Sequence, residues 1–328
     1  MIKDIAIENF RCFHKTELKG FERVNLFGGK NNVGKTSLLE AILLGLKCDF
    51  DSLSKIRGDA FTSSIRDEYL FHYQNINSQL KISVSDDKHN YGFVLPKLGR
   101  DVIKSSEQKI KGKVIEYSPP NYFWNANFAS LILDKDKQFP EQFNLSKEFD
   151  NADRKGESDE ILKAIQVIEP KIVEIKTYSD RPNILHLRLE NQKQRMPISY
   201  FGDAIQKVMR YIITIANFHS QNGKTEANTE GGKYLLIDEI ENGLHYTVQE
   251  EFWEMIFKLS IAYKIQIFSA THSLEMIKSF AKVALRYEND AAYFEMFRHV
   301  KTDEITANRI LPEALSYKLE HNRPLRGE

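Results

Sequence analysis

GGKNNVGKTSLLEAILLGL, Gly28 to Leu46, is the stretch that decides the fold. Gly29, Gly34, Lys35 and Thr36 complete the spacing G-x-x-x-x-G-K-[ST], a phosphate-binding loop. The apolar strand Val24-Asn25-Leu26-Phe27 leads in, and a helix with almost no polar face leads out from Thr36. A chance glycine-rich turn would lack both flanks. The residue types follow from the chemistry. Phosphate oxygens must reach several backbone N–H groups at once, which a side chain at Gly29 or Gly34 would obstruct. Asn31, Asn32 and Val33 supply the middle of that loop, and Ser37 follows it. The helix adds the positive end of its dipole. Lys35 is suited to bridging β- and γ-phosphates, and the Thr36 hydroxyl to ligating Mg²⁺.

A second element answers the first. Tyr234-Leu235-Leu236-Ile237 is an apolar strand ending in Asp238 and Glu239. Beside a phosphate loop this is the Walker B arrangement: Asp238 would hold Mg²⁺ through its water shell, and Glu239 would orient and deprotonate the attacking water. Next come Glu241-Asn242-Gly243-Leu244-His245, a helix bearing Val248, Phe252, Met255, Leu259 and Tyr263, and a buried strand Ile265 to Phe268. Ser269-Ala270-Thr271-His272-Ser273 closes that strand. A parallel sheet binds ligands where its strands end, so His272 is placed to sense a γ-phosphate.

Outward from these elements the signals weaken. Ile2 to Ile7 alternates as a strand, and a second strand runs from Phe13 to Leu18. Between them, in N-F-R-C-F, Arg11 could approach phosphates or base, or could sit solvated at a strand end. Leu80 to Val84 and Tyr91 to Leu95 read as a hairpin. Tyr117 to Phe128, with Pro119 and Pro120, reads as a packed loop, since basic residues do not interleave with its aromatics. Asp134 to Ser158 is charged and poor in large apolar residues after Phe149, the composition of a partly mobile segment. A helix over Asp159 to Ile168 ends before Pro170. Ile172 to Lys176 and Ile184 to Leu189 alternate as strands. Ser199 and Gly202 precede a helix with Ile205, Val208, Met209, Ile212 and Ala216 on one face, which makes either a second anion site or an ordinary N-cap. His219 to Gly232 reads as a loop. Ala291 to Val300 reads as a strand and Leu311 to His321 as a helix. Gln74 and Gln79 are candidates by residue type for a glutamine contact to the nucleotide.

Composition sets the frame. The chain has 328 residues, enough for a sizeable core. Its 46 Lys and Arg balance its 46 Asp and Glu, so no global charge points to nucleic acid or an acidic membrane. The two cysteines, Cys12 and Cys48, have neither pairing nor metal spacing, as expected in a reducing cytosol. No apolar run reaches membrane-spanning length and no signal peptide opens the chain, so a soluble cytoplasmic protein with no membrane partner is expected.

The order of elements resembles the ABC-type ATPases of the RecF, SMC and OLD (overcoming lysogenization defect) group over most of the chain. N-F-R-C-F, G-K-N-N-V-G-K-T-S-L-L-E-A-I, P-I-S-Y-F-G-D-A, L-L-I-D-E-I-E-N-G-L-H and A-T-H-S carry it, and D-E-I-E-N-G-L-H with S-x-x-G-D looks most like the OLD-type branch. Ala204 stands where that family usually has Gly, and Tyr246 where it usually has Pro. The resemblance implies an α/β P-loop NTPase with an ABC-type head: a mixed, largely parallel sheet flanked by helices, an N-terminal antiparallel β lobe, a small helical insertion and no long coiled coil. It implies one domain over residues 1–328, with 1–46 and 178–328 as ATPase core and 47–177 as lobe and insertion. ATP and Mg²⁺ are the implied cofactors. The implied partner is a second copy, in a head-to-tail dimer or higher homo-oligomer, whose Ser199 and Gly202 reach the γ-phosphate held by Gly34, Lys35 and Thr36. OLD-type proteins commonly carry a Toprim nuclease domain, and about fifty-five residues after His272 look too few for one. The resemblance therefore suggests a stand-alone ATPase controlling a separately encoded effector, a nuclease-like toxin, as in anti-phage defence systems such as the PARIS type. A RecF-like repair ATPase that binds DNA directly is the alternative. A small-molecule P-loop kinase is a third class, against which the pair Asp238-Glu239 and His272 argue.

Overall fold

The structure is a computed structural model and describes residues 1–47, 72, 78–87, 90–95, 144–179, 181–220, 233–321 and 323. Four strands run parallel at its centre: β3 (Val24–Gly28), β9 (Lys233–Ile237), β10 (Ile265–Ala270) and β11 (Ala291–Arg298), with β12 (Ile305–Ile310) antiparallel at one edge, in the order β12-β11-β3-β10-β9. All five residues of β3 and all six of β10 are buried, as expected of parallel strands covered on both faces.

Side-chain alternation sorts these strands into two cores. Val24, Leu26, Leu235, Ile237, Ile265 and Ile267 face one core. It also takes α4 (Gly202–Ser220), α5 (Gln249–Tyr263), α6 (Leu274–Ala284) and α7 (Pro312–Glu320). Phe27, Leu236, Phe268, Ala270, Phe294 and Met296 face the other. There they meet α1 (Lys35–Lys47) and an antiparallel sheet of β1 (Asp4–Phe10), β2 (Phe13–Lys19), β4 (Leu80–Ser85) and β5 (Asn90–Leu95), in the order β2-β1-β4-β5. Helix α1 is apolar almost all round because it lies between two sheets. Phe21 fills the seam, with ring centroids 5.2 Å from Phe268 and 5.2 Å from Phe294. Thr16 Oγ1 donates to the Ile305 carbonyl at 2.8 Å, which ties the antiparallel sheet to the edge of the parallel one.

The remaining elements are α2 (Leu145–Asp153), α3 (Ser158–Gln166) and a small sheet of β6 (Ile172–Tyr178), β7 (Arg181–Leu189) and β8 (Met196–Pro197). Of the segment read as partly mobile, residues 134–143 lie outside the described residues, while α2 is an ordered helix. Asn144 caps it by accepting from the N–H groups of Ser146 and Lys147, and Phe149 and Ala152 are buried. Helix α6 and strand β12 are further additions to the sequence reading. The hairpin β4-β5 forms with Leu80 opposite Leu95. The aromatic segment from Tyr117 to Phe128, Gln74, Cys48, and the loop over 221–232 lie outside the described residues, while Gln79 is exposed.

Candidate functional site

A phosphate loop turns from β3 into α1, and the antiparallel lobe closes over it from one side. Gly34 has φ +84°, and a Cβ there would stand 2.7 Å from Cys12 Sγ and 3.1 Å from Phe13 Cζ. The hairpin tip between β1 and β2 thus occupies the space a side chain would need, a steric reason for glycine beyond the approach of phosphate. Lys35 Nζ donates to the carbonyls of Gly29 at 2.8 Å and Lys30 at 2.7 Å, which holds the ammonium at the loop. Burial pushes its pKa down, against the pull of the Asp238, Glu241 and Glu239 carboxylates.

Parallel pairing of β3, β10 and β9 brings three strand ends together. Thr36 Oγ1 donates to Asp238 Oδ2 at 2.5 Å. Asp238 is buried, which pushes its pKa up, while the Thr36 hydroxyl and the Glu239 N–H, donating at 3.1 Å, draw it down. Glu239 has φ +46°, a left-handed conformation costing a non-glycine residue about 1–2 kcal/mol. Its Oε2 accepts from Asn242 Nδ2 at 2.7 Å.

These groups line a cleft of about 890 Å³, a size suited to a nucleotide. Asn31, Asn32, Gly34, Lys35, Thr36 and Ser37 reach it from the loop side, Asp238, Glu239 and His272 from the strand ends. The donor set fits Mg²⁺: the Thr36 hydroxyl and the Asp238 carboxylate are hard oxygens already in contact, and both would hold the ion. No group of three or more His, Cys, Asp or Glu suited to a metal occurs among the described residues. Three carboxylates near one lysine would repel a polyphosphate on their own, and a divalent cation relieves that.

Other candidates lie elsewhere. The Val33 side chain is buried, with Cγ2 3.0 Å from where a Cβ on Gly29 would stand. Arg11 has φ +50° at the hairpin tip and forms an ion pair at 2.9 Å with Glu40, a fully buried carboxylate of α1. Ser199 sits in a 3₁₀ turn, Ile198–Phe201, and Gly202 opens α4. Both are exposed and outside the cleft of their own chain.

The cleft also recruits Cys12, Thr271 and Arg298, which the sequence reading missed. Arg298 ends β11, whose Glu295 pairs in register with Gly28, so the strand assignment alone placed it at a ligand-binding edge. Its guanidinium donates to both Asp303 oxygens at 2.9 Å and to the Asn32 carbonyl at 3.2 Å.

Lys207, on α4, was also missed. Its Nζ donates to the carbonyls of Asn242 at 2.6 Å, Glu239 at 3.3 Å and Ile240 at 3.3 Å, clamping the turn that carries Glu239. Burial pushes its pKa down to about 8, against the Glu241 and Glu239 carboxylates. Lys207→Met, which keeps the stem and removes the donors, is expected to lower kcat for nucleotide hydrolysis about tenfold with KM little changed, as for other residues that orient a working group. Lys207→Arg should recover most of the loss in the same steady-state assay.

Comparison with known proteins agrees with this geometry. The AAA_21 family, described as "AAA domain, putative AbiEii toxin, Type IV TA system", matches residues 24–278. The chain is 22% identical over 389 aligned positions to a protein of Helicobacter pylori named ATP/GTP phosphatase, with 100% of both chains covered. It is 30% identical over 147 residues to the uncharacterized protein MJECL10 of Methanocaldococcus jannaschii, covering 42% of this chain and 62% of that one. Among solved structures, the SMC head domain from Thermotoga maritima superposes with a TM-score of 0.55 at 11% identity, covering 94% of this chain and 98% of that one. The Smc head domain of Pyrococcus furiosus with an extended coiled coil, bound to the C-terminal domain of ScpA, gives 0.52 at 11% identity, covering 98% and 99%. At that identity the likeness establishes the fold alone, that of an SMC head domain. No helix among the described residues is long and apolar enough to cross a membrane.

Proposed function

We propose that this chain, which belongs to the AAA_21 family of AAA domains, is an ATP-driven switch that closes head to tail with a second copy of itself and thereby controls a separately encoded effector. The chain is an ATPase, producing ADP and phosphate. Lys35 and the loop N–H groups hold the β- and γ-phosphates, and Glu239 accepts a proton from the water that attacks the γ-phosphorus. His272 meets the γ-phosphate from the end of β10. Mg²⁺, held by Thr36 and Asp238, would neutralise charge between the β- and γ-oxygens.

One observation carries the dimer. Ser199 and Gly202 are exposed at the start of α4, apart from the cleft of their own chain. Gly202 has φ +77° and ψ 166°, a conformation that favours glycine, and no atom stands within 4 Å of where a Cβ would be. A backbone left bare on an exposed helix start is suited to a phosphate brought by another molecule. Exposed Tyr200 and Tyr246, at 77% and 64%, stand in the two motifs such a contact would use. Closure would exclude water and strengthen every electrostatic contact to the transferring group.

The defence role rests on the OLD-type motifs and on a family description that names a toxin and a TA system. A pull-down from native-host lysate tests it, using Glu239→Gln with ATP and Mg²⁺ and Lys35→Ala as the empty-site control. A nuclease-like protein held only by the trapped form is the expected result. Recovery of DNA and repair proteins instead, with ATPase activity that DNA stimulates and salt weakens, would replace the switch by the RecF-like reading. The dimer is tested separately by light scattering: Glu239→Gln should double in mass with ATP, and Gly202→Asp should abolish the doubling.

A further inference from the structure

Glu241 lies three residues beyond Asp238, in the turn that leaves β9, with its side chain 10% exposed. Its Oε1 accepts from the backbone N–H of His272 at 2.9 Å and lies 2.9 Å from His272 Nδ1. A carboxylate oxygen and a bare imidazole lone pair would repel at that separation, so the proton of the neutral ring belongs on Nδ1. Nε2, on the opposite edge, is then the nitrogen left for the cleft that His272 lines.

The second carboxylate oxygen, Oε2, is buried with no hydrogen-bond partner among the described residues. A buried acceptor left unpaired costs the fold free energy. The position is therefore poor as a stabilising device and is explained by what Oε1 does for the ring. The two residues are also rigidly related. They follow the ends of adjacent strands, where Ile237 pairs with Ser269, and the Ile240 N–H donates to the Ala270 carbonyl at 3.0 Å. Lys207 fixes the same turn from the other side.

We propose that Glu241 is a positioning residue for His272: its carboxylate, in contact with both the main-chain N–H and Nδ1, sets the tautomer and orientation that present Nε2, a hydrogen-bond acceptor, to the water that attacks the terminal phosphate. The proposal rests on the reading of His272 at the γ-phosphate, the contact running through that water. It also gives the turn after β9 a direct mechanical connection to that contact. Gly243, in the same turn, abuts Asp203 at the start of α4, where the second copy is proposed to bind.

The test compares Glu241→Ala, Glu241→Gln, His272→Ala and the double variant Glu241→Ala/His272→Ala. Steady-state ATP hydrolysis is read together with ring ¹⁵N shifts of histidine-labelled protein, the His272 signals being those missing from His272→Ala. Glu241→Ala is expected to lower kcat about tenfold or more, with KM changed less than about twofold. It should move the His272 signals from an Nδ1-protonated pattern toward a tautomer average, without lowering Tm. Glu241→Gln, whose amide oxygen can still accept from Nδ1, should keep both the rate and the ring pattern. The double variant should be no slower than His272→Ala. Unchanged ring signals in Glu241→Ala, or a double variant slowed by the full product of the two single losses, would overturn the proposal. Wild-type turnover by His272→Ala would instead remove the γ-phosphate reading, and the ring signals would still decide the Glu241 contact.

Discussion

Glu239→Gln is expected to lower kcat for ATP hydrolysis by about 10²–10⁴-fold, the usual worth of a general base, while ATP affinity stays within a small factor. The substitution keeps the side chain's shape and removes its ability to take a proton. The surroundings tolerate it. Glu239 is half-buried, its backbone is set by the turn that Lys207 clamps, and its Oε2 takes one hydrogen bond from Asn242 that an amide oxygen can also take. Asp238, which bonds to Thr36, is untouched, so the proposed Mg²⁺ position survives. Phosphate release in single turnover separates the chemical step from product release. Hydrolysis by the variant at the wild-type rate would remove Glu239 as the base.

Arg11→Met should cost about 3–5 kcal/mol of folding stability, because it removes the guanidinium paired with Glu40, a carboxylate buried in the middle of α1. Glu40 is fully buried, flanked by Leu39 and Ala41, in a helix enclosed by two sheets. Chemical denaturation would show the loss as a lower midpoint with an unchanged slope. Arg11→Met combined with Glu40→Leu should regain most of it, since a matched apolar pair is often as stable as a buried ion pair. A variant that lost ATP affinity and no stability would return Arg11 to the nucleotide.

The difference between these two residues shows what a linear sequence discloses. Gly34, Lys35, Thr36, Asp238 and Glu239 are legible because each sits at fixed spacing from a strand end, and local spacing dictates where it points. Arg11 is one residue from a strand end too, yet its partner is Glu40, at a position where helix periodicity predicts only apolar residues. No local rule pairs them; the packing of the lobe on α1 does. The same holds for Arg298 and Lys207, which reach the cleft or its turn only once β11 lies beside β3 and α4 beside the strand ends. Helix α6 carried a readable signal, since Ser273 caps it by accepting from the Met276 N–H, and that signal was overshadowed by the polar cluster Thr271-His272-Ser273. The glycine at 34 was legible for a partial reason, because the hairpin tip that fills the space beside it is supplied by another sheet.

The central place of β3 has a consequence for biosynthesis. Val24 pairs with Ile267 on one side and with Ala291 on the other, so the strand that delivers the phosphate loop is translated long before either neighbour. At roughly 5–20 residues per second, β10 trails β3 off the ribosome by roughly ten to fifty seconds. Through that interval the nascent chain exposes an unpaired apolar strand and an apolar α1 with no parallel sheet to cover them. Chaperone demand should therefore concentrate on the first fifty or so residues. A message truncated before β10 would yield a polypeptide with an intact phosphate-loop sequence that lacks the strand joining β3 to β9.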